Sequence, residues 1–311
     1  MELIRGIHNI KPQHSGCVLT IGNFDGVHLG HQQVLAQLVK KSKQLALPSV
    51  VMTFEPQPLE FFAKAKAPAR LTRLRDKIVQ LDKLHIDRLL CIQFNQNFAN
   101  LTAEEFIRDL LVEKLGVKFL VVGDDFCFGR GRKGDFSMLK KAGEQYGFQV
   151  VNTESFCLQQ ERVSSTAIRE TLANDQLSLA ASMLGRRYSI SGRVSHGQKL
   201  GRTIGFPTAN MPLKRTVSPV SGVYVVEALC QDGQTVQGVA NIGRRPTVNG
   251  ERQQLEVHLF DFNANLYGKQ MEVFLLHKLR DEKKFESFEA LKEQIELDAE
   301  AARVWLLQLN S

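Results

Sequence analysis

Five apolar runs in the first 185 residues show no alternation of apolar and polar side chains, and stretches with helical spacing separate them. A strand that is apolar at every position must be covered on both faces, as parallel strands joined by helices are. The runs are residues 18–21, 50–54, 88–94, 119–122 and 148–151. The spacing predicts helices over 31–46, 74–84 and 175–184. Thr102 and Glu105 form a capping box that starts a further helix. Gly116 ends it, because glycine tolerates left-handed dihedrals. Together these features predict an α/β fold, an open doubly wound unit. Near Gly185 the texture changes. Residues 188–194, 223–229, 235–242, 255–260 and 271–276 are short β-rich stretches between Gly and Pro turns. That pattern predicts an antiparallel β-barrel. A closing helix presents Phe288, Leu291, Ile295, Ala302 and Leu306 on one face, with Ser287 placed to cap it.

Composition narrows the function classes. The five cysteines are scattered, odd in number and never in a C-x-x-C pair. This argues against a disulfide framework or a zinc ribbon and predicts a reducing, cytoplasmic setting. No apolar run approaches the roughly 18–20 residues of a membrane span, and residues 1–10 lack a signal-peptide pattern. The net charge of +7 comes without a Lys/Arg block, so the expectation is a basic enzyme with anionic small substrates, not a nucleic-acid binder.

Residues 20–31 carry the strongest local signal, Thr-Ile-Gly-Asn-Phe-Asp-Gly-Val-His-Leu-Gly-His. They sit where the first strand gives way to a helix, and open α/β sheets bind ligands beyond the carboxyl ends of their strands. Gly22, Gly26 and Gly30 permit tight turns and close approach of backbone to a ligand. His28 and His31 lie at the helix N-terminus, where free amides favour anions, and both can donate to a phosphate. The alternative is a pair of surface or capping histidines. The Ser164-Ser165-Thr166 cluster opens another helix, either as a cap or as phosphate ligands with Arg169 as a clamp. Gly129 to Gly134 matches G-x-G-x-x-G with Glu154 beyond, but Asp124 to Phe128 intervenes after the strand. That excludes a dinucleotide fingerprint and suggests a mobile cationic loop facing phosphates.

In the β-rich part, Pro207-Thr208-Ala209-Asn210 offers two oxygen ligands, Thr208 and Asn210. They suit a Mg²⁺ that completes its shell with phosphate and water. Residues 197–202 precede them as a flexible cationic loop, and 241–247 reads as a further turn of ambiguous chemistry. Glu256 and His258 share one face of a strand, opposite Leu255 and Leu259. A carboxylate pointing into a small barrel is costly unless it has a task or a partner, so Glu256 is a catalytic base or half of a salt bridge.

Together these motifs resemble the bacterial bifunctional riboflavin kinase/FAD synthetase family over essentially the whole chain. Residues 22–31 resemble its H-x-G-H signature, and 122–129 and 164–169 its second and third nucleotide motifs. The P-T-A-N at 207–210, with the glutamate strand downstream, resembles its flavokinase part. Asn265, often Asp in similar proteins, and Val163, commonly Ile, are small departures. The resemblance implies a Rossmann-like FMN adenylyltransferase domain over 1–185 and a riboflavin kinase barrel over 186–311. Catalytic roles fall to Glu256, His28 and His31. Gly22, Asn23, Phe24, Asp25, Gly26, Asp125, Ser165, Thr166 and Arg169 would bind nucleotide in the first domain. Lys199, Gly201, Pro207 and Arg280 would do so in the second, with Mg²⁺ on Thr208 and Asn210. The implied partners are the small molecules ATP, riboflavin and FMN, with flavoproteins as later acceptors, and neither nucleic acid nor membrane. The rival reading is an adenylyltransferase for another phosphorylated acceptor, fused to a flavin-binding regulatory barrel.

Overall fold

A computed structural model describes the chain except residues 64–65, 124, 154–156, 159–160, 197–204, 214–216, 248–249 and 310–311; at 158, 161, 244–247 and 250–252 it gives backbone alone. The chain divides into two compact units, 1–68 with 72–165, and 69–71 with 166–311.

In the first unit six strands form one sheet: β1 Glu2–Arg5, β2 Cys17–Ile21, β3 Ser49–Glu55, β4 Arg88–Gln93, β5 Val117–Gly123 and β6 Gln149–Thr153. Every pairing is parallel, in the order β1-β4-β3-β2-β5-β6. The apolar runs follow from this. Alternate residues of β2 enter different cores, Cys17, Leu19 and Ile21 on one face and Val18 on the other. The covering helices are α1 Leu29–Leu45, α2 Leu74–Lys83, α3 Ala103–Glu105 and α4 Phe136–Tyr146. β7 Cys157–Leu158 and β8 Glu161–Arg162 form a separate hairpin.

Three features depart from the sequence reading. The edge strand β1 was not expected, because four residues with a Glu and an Arg carry little pattern. The capping box is present, with Glu105 N to Thr102 Oγ1 at 3.1 Å and Thr102 N to Glu105 Oε2 at 2.8 Å. Beyond α3, however, Phe106–Lys114 is a π-helix. Its buried positions 106, 107, 110, 111 and 115 recur every four or five residues, and the wider turn keeps them on the core face. The loop 129–134 is closed at its base by reciprocal backbone bonds between Phe128 and Gly134 of 3.0 and 2.9 Å. A Cβ on Gly129 would lie 2.7 Å from the Ala103 backbone, so this glycine serves close packing on α3.

The second unit takes α5 Ser165–Ala173 from Thr166 onward, then α6 Leu177–Leu184. Its sheet contains β9 Ser189–Arg193, β10 Ala209–Pro212, β11 Gly222–Cys230, β12 Thr235–Thr247, β13 Gly250–Leu259 and β14 Gln270–Arg280. The order is β10-β13-β12-β11-β14-β9, all antiparallel. A bridge from Ser195 N to Asn210 O of 2.8 Å joins the two edges, so the sheet is a nearly closed barrel. Residues 241–247, expected as a turn, continue β12, and the P-T-A-N segment enters β10. Leu255, Val257, Tyr224 and Ile242 fill the interior. Outside, α7 Phe288–Leu309 packs Ala299, Ala302 and Leu306 onto Val223, Val225 and Val239. Ser287 caps it through Ala290 N at 3.1 Å. Of the expected apolar stripe, Phe288, Leu291 and Ile295 are not packed into this core; they line a cleft.

The turn between α5 and α6 is tied to the barrel. Asp175 accepts from the buried Tyr224 hydroxyl at 3.0 Å and from Lys278 Nζ at 2.6 Å. A fragment of residues 166–311 should therefore be more stable than one of 186–311. The shorter fragment loses a charge-assisted hydrogen bond to a buried phenol, worth about 1.5–3 kcal/mol, and the helix packing. Urea unfolding of both fragments checks this, and Asp175→Ala should cost the longer one much of its advantage.

Candidate functional sites

In the first unit β2 is flanked by β3 and β5, which makes the gap between β2 and β5 the topological switch point. A cleft of about 270 Å³ opens there. Gly22, Phe24, His28, Gly30 and His31 line it from beyond β2, Gly123 and Asp125 from beyond β5, and Arg162, Ser164 and Ser165 from the approach to α5. Three expected motifs thus meet at one opening.

The loop after β2 is held under strain. Phe24 and Val27 have positive φ of 47° and 42°, and for the β-branched Val27 this costs of order 1–3 kcal/mol. Buried polar contacts offset it. Asp25 Oδ1 accepts from Thr72 N at 3.0 Å and Thr72 Oγ1 at 3.2 Å, and Thr72 Oγ1 accepts from Gly26 N at 3.0 Å. Asp25 thus clamps the loop to the turn before α2. Ser165 Oγ donates to Asp25 O at 2.9 Å, tying the start of α5 to the same loop. Lys77, 2% exposed, donates to Asn23 O and, at 3.3 Å, to Thr53 Oγ1. It went unnoticed in the sequence, although it interrupts the apolar stripe of α2 between Leu74, Ile78 and Leu81, and that is the available signal. Arg162, which lies 3.8 Å from Asp125, was likewise missed.

His28 does cap α1, its Nδ1 accepting from His31 N at 3.3 Å. Nδ1 therefore carries no proton, and the neutral ring carries its proton on Nε2. Capping and anion binding use different nitrogens, so the two readings of this histidine are compatible. The His31 ring stacks on His28 with centroids 3.6 Å apart. Among the described residues His31 Nδ1 and Asn23 Oδ1 are shielded from solvent without a hydrogen-bond partner, as expected where a ligand completes the contacts. Burial, then His28, then the Lys77 charge hold the His31 pKa well below 6.5. The His31 imidazole is thus neutral, not a fixed cation, at neutral pH.

Thr166 and Arg169 continue α5 in the second unit, and Arg169 Nε donates to Ala69 O. Beyond the ends of β3 and β4 lies an aromatic cluster. Phe94 meets Phe54, Phe61, Phe62 and Phe98 at 5.5–5.8 Å, and Phe62 is 66% exposed.

The barrel site corrects one expectation. Glu256 does not point into the barrel; Leu255 and Val257 do, and Glu256 with His258 faces a cleft of about 330 Å³ bordered by α7. Phe206, Val223, Val239, Phe285, Phe288, Leu291 and Ile295 make it largely apolar. Register sets a polar row across its wall: Asn210 on β10 opposes Glu256 on β13, which opposes Asn241 on β12. Val223 on β11 and Arg280 on β14 continue the row. Gln254 Nε2 donates to Glu256 Oε1 at 3.2 Å and also to Asn210 Oδ1. Asn210 Nδ2 donates to Thr208 O at 3.2 Å. His258 Nδ1 donates to Pro207 O at 3.0 Å, fixing the P-T-A-N approach, and burial lowers its pKa. Arg280 lines the cleft with its guanidinium paired to Asp298 of α7 at 2.7 and 2.8 Å, which docks the helix. Thr208 borders both this cleft and a smaller one of about 80 Å³ beside Pro207, Ala264 and Tyr267. Lys199 and Gly201 lie outside the described residues. Among the described residues no group of three His, Cys, Asp or Glu is placed to hold a metal ion. No helix described is long and apolar enough to cross a membrane.

Residues 10–167 match the FAD synthetase family and residues 184–306 the riboflavin kinase family. The chain is 58% identical to the bifunctional riboflavin kinase/FMN adenylyltransferase of Escherichia coli (strain K12), over 97% of each. It is 55% identical to the protein of that name from Haemophilus influenzae, over 98% of this chain and 99% of that one. A crystal structure described as a macrolide-efflux protein from Streptococcus pneumoniae superposes with a TM-score of 0.79 at 32% identity, over 97% and 99% of the two chains.

Acid should destabilise the first unit through His31. The unfolded ring titrates near 6.5 and the folded one far below it, so below about pH 6.5 the unfolded chain binds a proton that the folded chain refuses. Stability present at pH 7 is lost as pH falls, at up to about 1.4 kcal/mol per pH unit for one proton. Urea unfolding between pH 7.5 and 5.5 should show this slope in the wild type and a flatter one in His31→Gln.

Proposed function

Since the chain belongs to the family of bifunctional riboflavin kinase/FMN adenylyltransferases, we propose from that premise which of its residues perform each reaction. It phosphorylates riboflavin to FMN and adenylylates FMN to FAD. We assign the second step to the cleft at the switch point and the first to the cleft under α7, with the functional boundary at Gly185. The observation that carries the assignment is the register row Asn210–Glu256–Asn241 beside Thr208, a carboxylate set among oxygen donors at the rim of an apolar cleft.

In the kinase step a ribityl hydroxyl of riboflavin attacks the γ-phosphate of ATP and ADP leaves. A hydroxyl is a poor nucleophile, so Glu256 takes its proton as the bond to phosphorus forms. The apolar wall and the α7 side chains Phe288, Leu291 and Ile295 receive the isoalloxazine. Thr208, bordering both clefts, stands where acceptor and phosphates meet. The Thr208 hydroxyl and Asn210 carboxamide are hard oxygen donors and fit Mg²⁺, and Asn210 Oδ1 keeps a lone pair beyond its bond to Gln254. Mg²⁺ bound there with ATP would neutralise charge on the phosphates.

In the adenylyl step the FMN phosphate attacks the α-phosphate of ATP and pyrophosphate leaves. The attacking group is largely dianionic at pH 7 and needs no base. The residues hold two anions together: His28 donates from Nε2, His31 lies beside it, Ser164 supplies a hydroxyl, and Ser165, whose own hydroxyl is committed to Asp25 O, contributes the start of a helix. Arg162 is a further cation for pyrophosphate, and Arg169 and Thr166 remain candidates from the third motif. Lys77 and Asp25 position the loop and do not touch substrate. The exposed aromatic cluster around Phe94 offers stacking for the FMN ring. We keep the cytoplasm as the setting and flavoproteins as the later acceptors of FAD.

Separate variants test the division. Glu256→Gln should lower FMN formation by roughly 10²–10⁴-fold and leave FAD formation from supplied FMN unchanged. His28→Asn should do the reverse, by about 10²–10³-fold, while retaining the helix cap because Asn is a good N-cap. Chromatography of both products resolves the activities. Loss of both in either variant would mean that one site serves both reactions.

A further inference from the structure

The cleft under α7 holds a polar group that the reaction as described leaves unused. Asn241 lies on β12 between Glu256 and Val223 in the register, and its side chain lines the cleft. Its Oδ1 is shielded from solvent and has no hydrogen-bond partner among the described residues. A buried acceptor without a donor is a net loss to the fold. The position does not require it: Val239, two residues earlier on the same face of β12, and Val223 across the strand pair are both apolar. An apolar side chain at 241 would remove the loss without leaving a gap. The group is therefore satisfied by something that enters the cleft.

The surroundings define its chemistry. The partner is attached to a largely apolar body, since Val223, Val239, Phe285, Phe288, Leu291 and Ile295 form most of the apolar part of the lining, with Arg280, Glu282, Lys283 and Asp298 towards α7. It also reaches Glu256, because directly paired positions on neighbouring strands put Cβ atoms about 4.5–5.5 Å apart. Adjacent hydroxyls of a polyol chain are spaced to reach both side chains. A hydroxyl both donates and accepts, so it satisfies the carboxamide in either orientation.

We propose that Asn241 is a specificity-determining residue of the riboflavin kinase site: its carboxamide binds a secondary hydroxyl of the ribityl chain and so turns the terminal hydroxyl towards Glu256. The proposal rests on the reading of this cleft as the riboflavin site. It makes Asn241 the group that distinguishes riboflavin from flavins with an incomplete side chain. A pocket that merely holds the ring would accept both. A site with a committed amide rejects the analogue, because the amide is then left unpaired.

The test is steady-state FMN-type product formation by the full chain with riboflavin and with its 2′-, 3′- and 4′-monodeoxy analogues. Wild type, Asn241→Leu, Asn241→Ser and Glu256→Gln are compared. FMN adenylylation by each preparation, which uses the other unit, normalises the amount of enzyme, and an unchanged KM for ATP in FMN formation reports that the barrel is folded. Asn241→Leu should lower kcat/KM for riboflavin by about 10–100-fold. It should also abolish the wild-type preference for riboflavin over one particular analogue, so that both react equally, while the other two analogues keep their ratios. Asn241→Ser, smaller and still polar, should retain part of the preference. If Asn241→Leu and Asn241→Ser both discriminate among all the flavins as the wild type does, with Glu256→Gln inactive, the inference about Asn241 falls and the reading of the cleft stands. If Glu256→Gln makes FMN at the wild-type rate, the reading of the cleft falls, and the inference with it.

Discussion

Every side chain of β2 is buried, and this constraint organises the first unit. With Cys17, Leu19 and Ile21 in one core and Val18 in the other, the strand has no face left for chemistry. Polar function gathers at its carboxyl end, where Thr20 and Gly22 line the cleft. The chain there must turn at once into α1, and it does so through left-handed Phe24 and Val27. Such a loop persists only if its surroundings over-determine it. Thr72, Asp25, Lys77 and Ser165 supply that determination from three different segments. The outcome is a preorganised turn that borders the cleft and needs little rearrangement when anions arrive.

The barrel answers the same constraint differently. A six-stranded barrel of this size fills its own interior with side chains, so no ligand enters it. The candidate site therefore lies on the outer wall, bordered by a helix. α7 is fixed by two unlike devices: a packed apolar seam around Ala302, and the bidentate Arg280–Asp298 pair. The pair joins the far end of the polar row to the helix, so register and lid are mechanically continuous.

On the proposed assignment the two chemistries match the two kinds of candidate site. An ionised phosphate nucleophile needs fixed donors and no base, which a strand-to-helix turn provides. A hydroxyl nucleophile needs a carboxylate in a partly dry setting, and a strand face under a helix provides that. Keeping His31 neutral beside a buried Lys77 has a thermodynamic cost in acid, since His31 must be charged on unfolding there.

Much of this was legible along the chain. The two textures, the H-x-G-H turn, the capping box and the P-T-A-N and Glu256 segments depend on residue type and short spacing, which local physics reads directly. What needed the fold were the facts set by pairing and packing. The choice of barrel face for Glu256 depends on which side of the sheet α7 covers, because alternation tells that two faces differ and not which is inside. β1 and β10 are four residues long and exist only because β4 and β13 present open edges to them. Asn241 looked like a turn residue until register placed it beside Glu256. Lys77 is distant in sequence from Asn23 and Thr53, and only the packing of α2 brings its charge to them. Sequence by itself therefore determined most of the elements, their order and the candidate reacting groups. Tertiary structure alone decided which polar groups meet, because that depends on strand register and helix placement, which neighbouring residues in the chain do not encode.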